Sequence, residues 1–260
     1  MAKIVPTDTF EFKFKQPKTQ NPAVARLPSS VLAAAPSASG KSTAILYALL
    51  SPEMYRGCFS RIYVFSNSIL PDGRLLDKSY EPLVEYVQKE LKVDTSREQC
   101  FFNADPKSLM DLINQWQEIS ELWKSRIKNG SMVNMIKGAC LIADDVSDNP
   151  AFARHSPAIQ TLAMRARHIC ITLPIYSLQK LRTINQAVRV NVRSIWFWRA
   201  RSAMEYKAIV EEVGNFVTEQ EFKALYTKAT AEPHSFLNIR LDQPVENMFF
   251  KNFEVRLSLR

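Results

Sequence analysis

Apolar and polar positions change their spacing repeatedly along the chain, and the changes outline its elements. In "FEFKFK" the apolar residues Phe10, Phe12 and Phe14 alternate with polar ones, the period of a half-covered strand. A polar stretch punctuated by Pro17, Pro22 and Pro28 follows, so residues 1–30 read as an extension that packs on what comes after. From Val31 onward, apolar runs of strand length alternate with stretches of helical period. Strands are expected over 31–35, 59–66, 100–102, 139–143 and 168–173, and helices over 41–50, 79–92, 107–128 and 157–166. "RSIWFWRA" predicts a strand with Ile195 and Phe197 on one face and Trp196 and Trp198 on the other. Helices over 202–213 and 218–229 come next, and "SFLNIRL" and "MFFKNFEVRLSL" close the chain as edge strands or a hairpin. Short strands separated by helices require crossover connections, so the expected class is α/β, with a mainly parallel central sheet flanked by helices. The expected organisation is an extension at 1–30, a core at 31–245 and a C-terminal strand or tail at 246–260.

With 260 residues, 46% of them hydrophobic, the chain can bury one large core. No apolar stretch approaches the length of a membrane span, and the first residues lack the continuous hydrophobic segment of a secretory signal, so an intracellular protein is expected. Cys58, Cys100, Cys140 and Cys170 are too widely spaced for a zinc pair or a dithiol motif and read as buried, reduced thiols. His155, His168 and His234 have no second ligand at helical spacing and read as structural.

Charge changes the picture. The formal net charge is +8, and residues 165–201 hold Arg165, Arg167, Lys180, Arg182, Arg189, Arg193, Arg199 and Arg201 with no acid at all. Regional basicity of this kind points to a surface that faces a polyanion.

Three features carry candidate chemistry. The first is "AAAPSASGKST", which fits the phosphate-loop (Walker A) pattern from Ala35 through Pro36, Ser37, Ala38 and Ser39 to Gly40, Lys41, Ser42 and Thr43, with a strand before it and a helix after it. Backbone N–H groups in such a turn point at phosphate oxygens, Lys41 adds a cation at the β- and γ-phosphates, and Ser42 offers a hydroxyl to Mg²⁺. Ala35 stands where glycine is usual. A methyl group is tolerable there if the backbone stays in an ordinary region, whereas Gly40 needs the freedom of glycine.

The second feature is "CLIADDVSD", an apolar strand ending in Asp144 and Asp145 (Walker B) at the sheet edge where open α/β sheets bind ligands. Asp144 suits the Mg²⁺ shell, and Asp145 suits orienting or polarising water. The third is Gln179, beyond "HICITLPIYS", an amide at a strand end that can contact a γ-phosphate or attacking water if its strand lies beside that of Asp144.

Together, "APSASGKST", "LIADDVSDNPAF", "LAMRARHICITLPIYSLQKLR" and "VRVNVRSIWFWRARS", in that order across residues 31–215, resemble the HerA/FtsK superfamily of DNA-pumping ATPases. The resemblance is greatest to the genome-packaging ATPases of poxviruses and other nucleocytoplasmic large DNA viruses. That family usually has glycine at the Ala35 position and often at the Ala38 position. The resemblance implies a RecA-like P-loop NTPase core, ATP with Mg²⁺ as ligands, and a ring homo-oligomer, pentamer or hexamer, around double-stranded DNA. It also implies capsid proteins as partners and a location in the virion or the infected host cytoplasm. An arginine finger supplied in trans is expected, with Arg167 chosen by position and Arg165 as the alternative. Arg182, Arg189 and Arg193 become candidates for phosphate contacts on DNA. Two other readings remain: a P-loop nucleoside or nucleotide kinase, and a non-catalytic nucleotide- or DNA-binding capsid component.

Overall fold

A computed structural model describes residues 10–76 and 78–259. The first nine residues of the expected extension therefore lie outside the described residues. In chain order the elements are β1 (Val31–Ala34), α1 (Lys41–Leu50), β2 (Arg61–Ser66), α2 (Glu81–Lys89), β3 (Phe101–Phe102), α3 (Pro106–Lys128), β4 (Ala139–Asp144), α4 (Pro150–Ala153) and α5 (Pro157–Arg165). They continue with β5 (Ile171–Leu178), α6 (Gln186–Asn191), β6 (Ser194–Trp198), α7 (Ala203–Val213), α8 (Glu219–Ala229), β7 (Phe236–Arg240), β8 (Phe249–Lys251) and β9 (Val255–Arg256).

The strands form a nine-stranded sheet in the order β3-β2-β4-β5-β1-β6-β7-β8-β9. From β3 to β6 neighbouring strands are parallel, and from β6 onward they are antiparallel. Every residue of β1, β4, β5 and β6 is buried, as expected for strands covered by helices on both faces. The mainly parallel sheet expected from the sequence is present, and the helices that follow β1, β2, β3, β4 and β5 make the crossovers.

The starts of α3, α5, α6, α7 and α8 are marked by side-chain caps. Asp105 accepts from the Ser108 N–H at 2.7 Å at the head of α3, Ser156 caps α5 and Ser202 caps α7. Thr218 and Glu221 form a reciprocal capping box on α8. Helix α1 differs: it starts from Gly40 with no side-chain cap and no acidic residue in its first turn. Its leading N–H groups carry a partial positive charge that nothing on its own turn neutralises.

Two sequence expectations are corrected. The strand expected at 168–173 runs instead from Ile171 to Leu178, because Ala166–Ile169 forms a 3-10 turn closed by Cys170 at φ 57°. Pro174 suggests a strand end, yet the strand continues through it. Ser29 N–H donates to Thr172 O at 2.9 Å and Ala35 N–H to Leu178 O at 3.0 Å, so even-numbered residues of β5 face β1. The donor that Pro174 lacks therefore falls level with Ser29, ahead of β1, and no rung within that strand is lost. The strand expected at Phe10–Phe14 is an extended segment with a single bridge, Phe14 to Ile136. Only Phe14 of the three aromatics is buried.

Residues 10–30 lie on the core, with Ala23, Val24, Ala25 and Leu27 buried. The Asn238 side-chain amide donates to Ala23 O at 3.0 Å, tying this segment to β7. All four cysteines are free and buried, as the spacing suggested.

Candidate nucleotide site

Register sets the site. Ala34 of β1 lies level with Leu178 of β5, and Asp144 of β4 lies level with Ser177. Because β5 is inserted between β1 and β4, the loop after β1, Gln179 and Asp145 leave the sheet at one edge and side by side. A cavity of about 810 Å³ opens there, and Pro36 through Thr43 line it together with Asp144, Asp145 and Gln179. That volume suits a nucleotide-sized ligand. Ala35 does not line it: its N–H belongs to the β1–β5 ladder, and its φ is not positive.

Two loop residues are left-handed. Gly40 sits at φ 87°, a backbone that requires glycine, and a Cβ there would come to 3.3 Å from the His234 side chain, which would have to give by a few tenths of an ångström. Ala38 is at φ 62°, a conformation that costs a non-glycine residue about 1–2 kcal/mol. The position where the resembled family often has glycine thus keeps a glycine-like backbone here.

The acids are held by distinct partners. Asp144 is 6% exposed, and both its oxygens accept hydroxyl hydrogen bonds, Oδ2 from Tyr80 at 2.6 Å and Oδ1 from Ser177. Asp145 is left-handed, at φ 51° and ψ 38°, strain of the kind that clusters at working sites. Its N–H donates to Ser177 O at 3.1 Å, and its carbonyl accepts from the Asn67 amide at 3.3 Å. This pinning turns the Asp145 side chain toward Gln179, whose Nε2 donates to Oδ1 at 2.8 Å. Gln179 is itself fixed by its N–H, which donates to Ser147 Oγ at 3.1 Å.

Burial pushes the Lys41 ammonium below its ordinary pKa, and the carboxylates of Asp144 and Asp145 act in the opposite direction. One half-buried cation thus shares a cavity with two acids and with the uncapped start of α1. Ser42 lines that cavity with Asp144, so a hydroxyl and a carboxylate of the kind Mg²⁺ accepts face the same space. Among the described residues no group of three or more His, Cys, Asp or Glu could cage a metal, so a cation here would draw most of its ligands from phosphate and water oxygens, the usual habit of Mg²⁺.

The arginines lie elsewhere. Arg167 is exposed on the 3-10 turn before β5, while Gln179 follows the other end of that eight-residue strand, about 26 Å away along its length. It does not line its own chain's cavity. Arg165, the alternative, ends α5 beside it. Arg182 pairs with Glu211, Arg189 pairs with Glu212 at 2.5 Å, and Arg193 donates to Pro28 O at 3.1 Å. The acid-free basic segment is therefore partly neutralised by acids of α7, which lie outside the window in sequence. Sequence reasoning missed Tyr80, His234 and Arg201, the last donating to Ser37 O at 3.3 Å. Tyr80 and His234 lie in no motif, Arg201 stands near the end of the last matching stretch, and only the fold brings the three to the loop.

No protein-family model matches the chain, and no curated protein matches it. Solved structures do. The genome-packaging NTPase B204 of Sulfolobus turreted icosahedral virus 2, in complex with ATP-gammaS, is similar at TM-score 0.52 and 15% identity over 88% of this chain and 98% of that one. The DNA-packaging ATPase B204 of Sulfolobus turreted icosahedral virus is similar at TM-score 0.54 and 14% identity, with the same shares of both chains covered. EssC ATPases 2 and 3 from Geobacillus thermodenitrificans are similar at TM-score 0.57 and 11% identity, over 97% of this chain and 48% of that one. The chain has the fold of these P-loop ATPases. At such identities the likeness is one of fold, and it agrees with the RecA-like core that the sequence resemblance implied. The chain spans about half of the EssC structure but nearly all of each B204 chain. No helix of the described residues is long and apolar enough to cross a membrane.

Proposed function

We propose that this protein is an ATP-hydrolysing DNA translocase that packages a viral double-stranded DNA genome, working as a ring of identical subunits. The observation that carries the reading is the convergence of the 36–43 loop, Asp144, Asp145 and Gln179 on one cavity, in a fold shared with B204. Support for viral packaging comes from the B204 structures, and support for nucleotide binding from ATP-gammaS in one of them.

In this reading the leading N–H groups of α1 and the Lys41 ammonium bind the triphosphate. Ser42 and Asp144 would hold Mg²⁺, which when bound offsets charge on the β- and γ-phosphate oxygens. Asp145 orients the attacking water and accepts its proton, and Gln179 fixes the Asp145 carboxylate and the water beside the γ-phosphate. Tyr80 and Ser177 hold Asp144 in place by donating to both its oxygens.

Arg167 fits a role in trans. It is exposed, stands at the far end of β5 from its own cavity, and so would act on the nucleotide of a neighbouring subunit. Of the three arginines considered for DNA, Arg182 and Arg193 are proposed to face it, whereas Arg189 is held in the fold by its pair with Glu212. Capsid docking and a location in the virion or host cytoplasm follow from the same reading. The test is the ATPase rate with and without duplex DNA, read beside particle mass. Stimulation by DNA in an assembled ring supports the reading. A DNA-independent monomer that transfers phosphate to a nucleoside would replace it with a kinase.

A further inference from the structure

The cavity extends beyond what a triphosphate fills. Past the loop its wall is built by Tyr47 of α1 and by the β8–β9 turn, residues Asn252, Phe253 and Glu254. We infer that the aromatic ledge formed by Tyr47 and Phe253 is the nucleobase subsite of this cavity, taking the base by stacking. The inference rests on the nucleotide-binding reading above.

Tyr47 belongs to the helix whose first turn faces the phosphates, six residues beyond Lys41 and so about 9 Å along the axis. Its neighbours Ala44, Ile45, Ala48 and Leu49 are buried, whereas Tyr47 is 45% exposed. Its ring stacks on Phe253 with centroids 6.0 Å apart and planes 16° apart. Phe253, 6% exposed, is pinned by edge contacts to Trp196 at 4.9 Å and Phe236 at 5.1 Å, so it backs the Tyr47 ring, which offers the open face. Asn252, left-handed at φ 53°, fixes the turn by accepting the Phe236 N–H at 3.0 Å. Between ledge and loop stands His234, packed against Gly40, where the sugar of a bound nucleotide would pass. A 6.0 Å gap is too narrow for a base to enter between the rings, so the base lies on the ledge and not inside it.

Stacking reads the face of a base and not its hydrogen-bonding edge, so it favours no particular base. The test is calorimetric titration of the full chain with ATP, GTP and inorganic tripolyphosphate. Tyr47→Ala is expected to weaken ATP and GTP alike, by about tenfold, and to leave tripolyphosphate affinity unchanged. Tyr47→Phe is expected to restore both nucleotides. Unchanged ATP affinity in Tyr47→Ala overturns the inference. So does a parallel loss of tripolyphosphate, which would mark Tyr47 as support for the loop. If the unaltered protein binds neither ATP nor tripolyphosphate, the parent reading fails instead.

Discussion

Gln179 Nε2 lies 2.8 Å from Asp145 Oδ1, so the two residues assigned to water and γ-phosphate are joined directly to each other. Asp145 can act as a base only through its carboxylate, whereas its backbone pinning survives a change of side chain. Asp145→Asn is therefore expected to keep ATP affinity within a few-fold while lowering kcat by about 10²–10⁴, the usual contribution of a positioned base. Equilibrium binding of ATP and steady-state phosphate release check the split. Equal losses in affinity and turnover would point to a structural role.

Burial of Lys41 carries a cost. Its folded pKa is lowered, chiefly by burial, from the model-peptide value of 10.5. Between the folded pKa and 10.5 the unfolded chain holds a proton that the native state lacks, so stability rises with pH in that window. Below the folded pKa the ammonium is charged in both states and the burial cost is fully present. Lys41→Met is expected to raise Tm at pH 7, and its advantage over the unaltered protein should shrink as pH climbs toward 10.5. The same variant should lose nucleotide hydrolysis. A lower Tm at pH 7 would show that the two carboxylates outweigh burial.

Ala38 offers a test of the loop itself. Its left-handed backbone at φ 62° is one that glycine adopts without strain. Removing the strain of about 1–2 kcal/mol is partly offset by the extra freedom of glycine in the unfolded chain, about 0.4–1 kcal/mol. Ala38→Gly should therefore raise stability by up to about 1.6 kcal/mol and leave ATP affinity the same or higher. Ala38→Val, branched at Cβ, should lower both. Denaturant midpoints for the pair check the order.

How much of this was legible in the sequence follows from where each signal resides. The cradle was local: Gly40, Lys41 and Ser42 sit between one strand and one helix, and the structure puts them on one cavity with Asp144 and Asp145. Gln179 depended on sheet order, and the insertion of β5 between β1 and β4 supplied it. The strand expected at 168–173 ends short of Pro174, whereas β5 runs through it to Leu178, because a missing donor matters only where a neighbouring strand needs it. Tyr80 could not have been found. It reaches Asp144 across 64 positions, and nothing in its own segment marks it. The charge window misled for a related reason, because Glu211 and Glu212 fold back onto arginines from outside it.

Those ion pairs separate the proposed DNA contacts. The Arg182 and Glu211 side chains are 53% and 65% exposed, and a pair in that setting contributes about 0–1 kcal/mol. Arg182 can exchange its carboxylate for a DNA phosphate at little cost. Arg189 and Glu212 are only 22% and 20% exposed, and Arg189 Nε is buried with no hydrogen-bond partner, so this pair is held in the fold. Arg182→Ala is expected to leave Tm nearly unchanged, weaken duplex DNA binding, and reduce the slope of log affinity against log salt by about one. Arg189→Ala is expected to lower Tm and leave that slope unaltered. Glu211→Gln, which frees Arg182, should tighten DNA binding at low salt. Binding isotherms over a series of KCl concentrations, beside calorimetric melts, read all three variants. The reverse assignment, with the slope following Arg189 and stability following Arg182, would place the DNA path against α6 instead of at the exposed edge of α7.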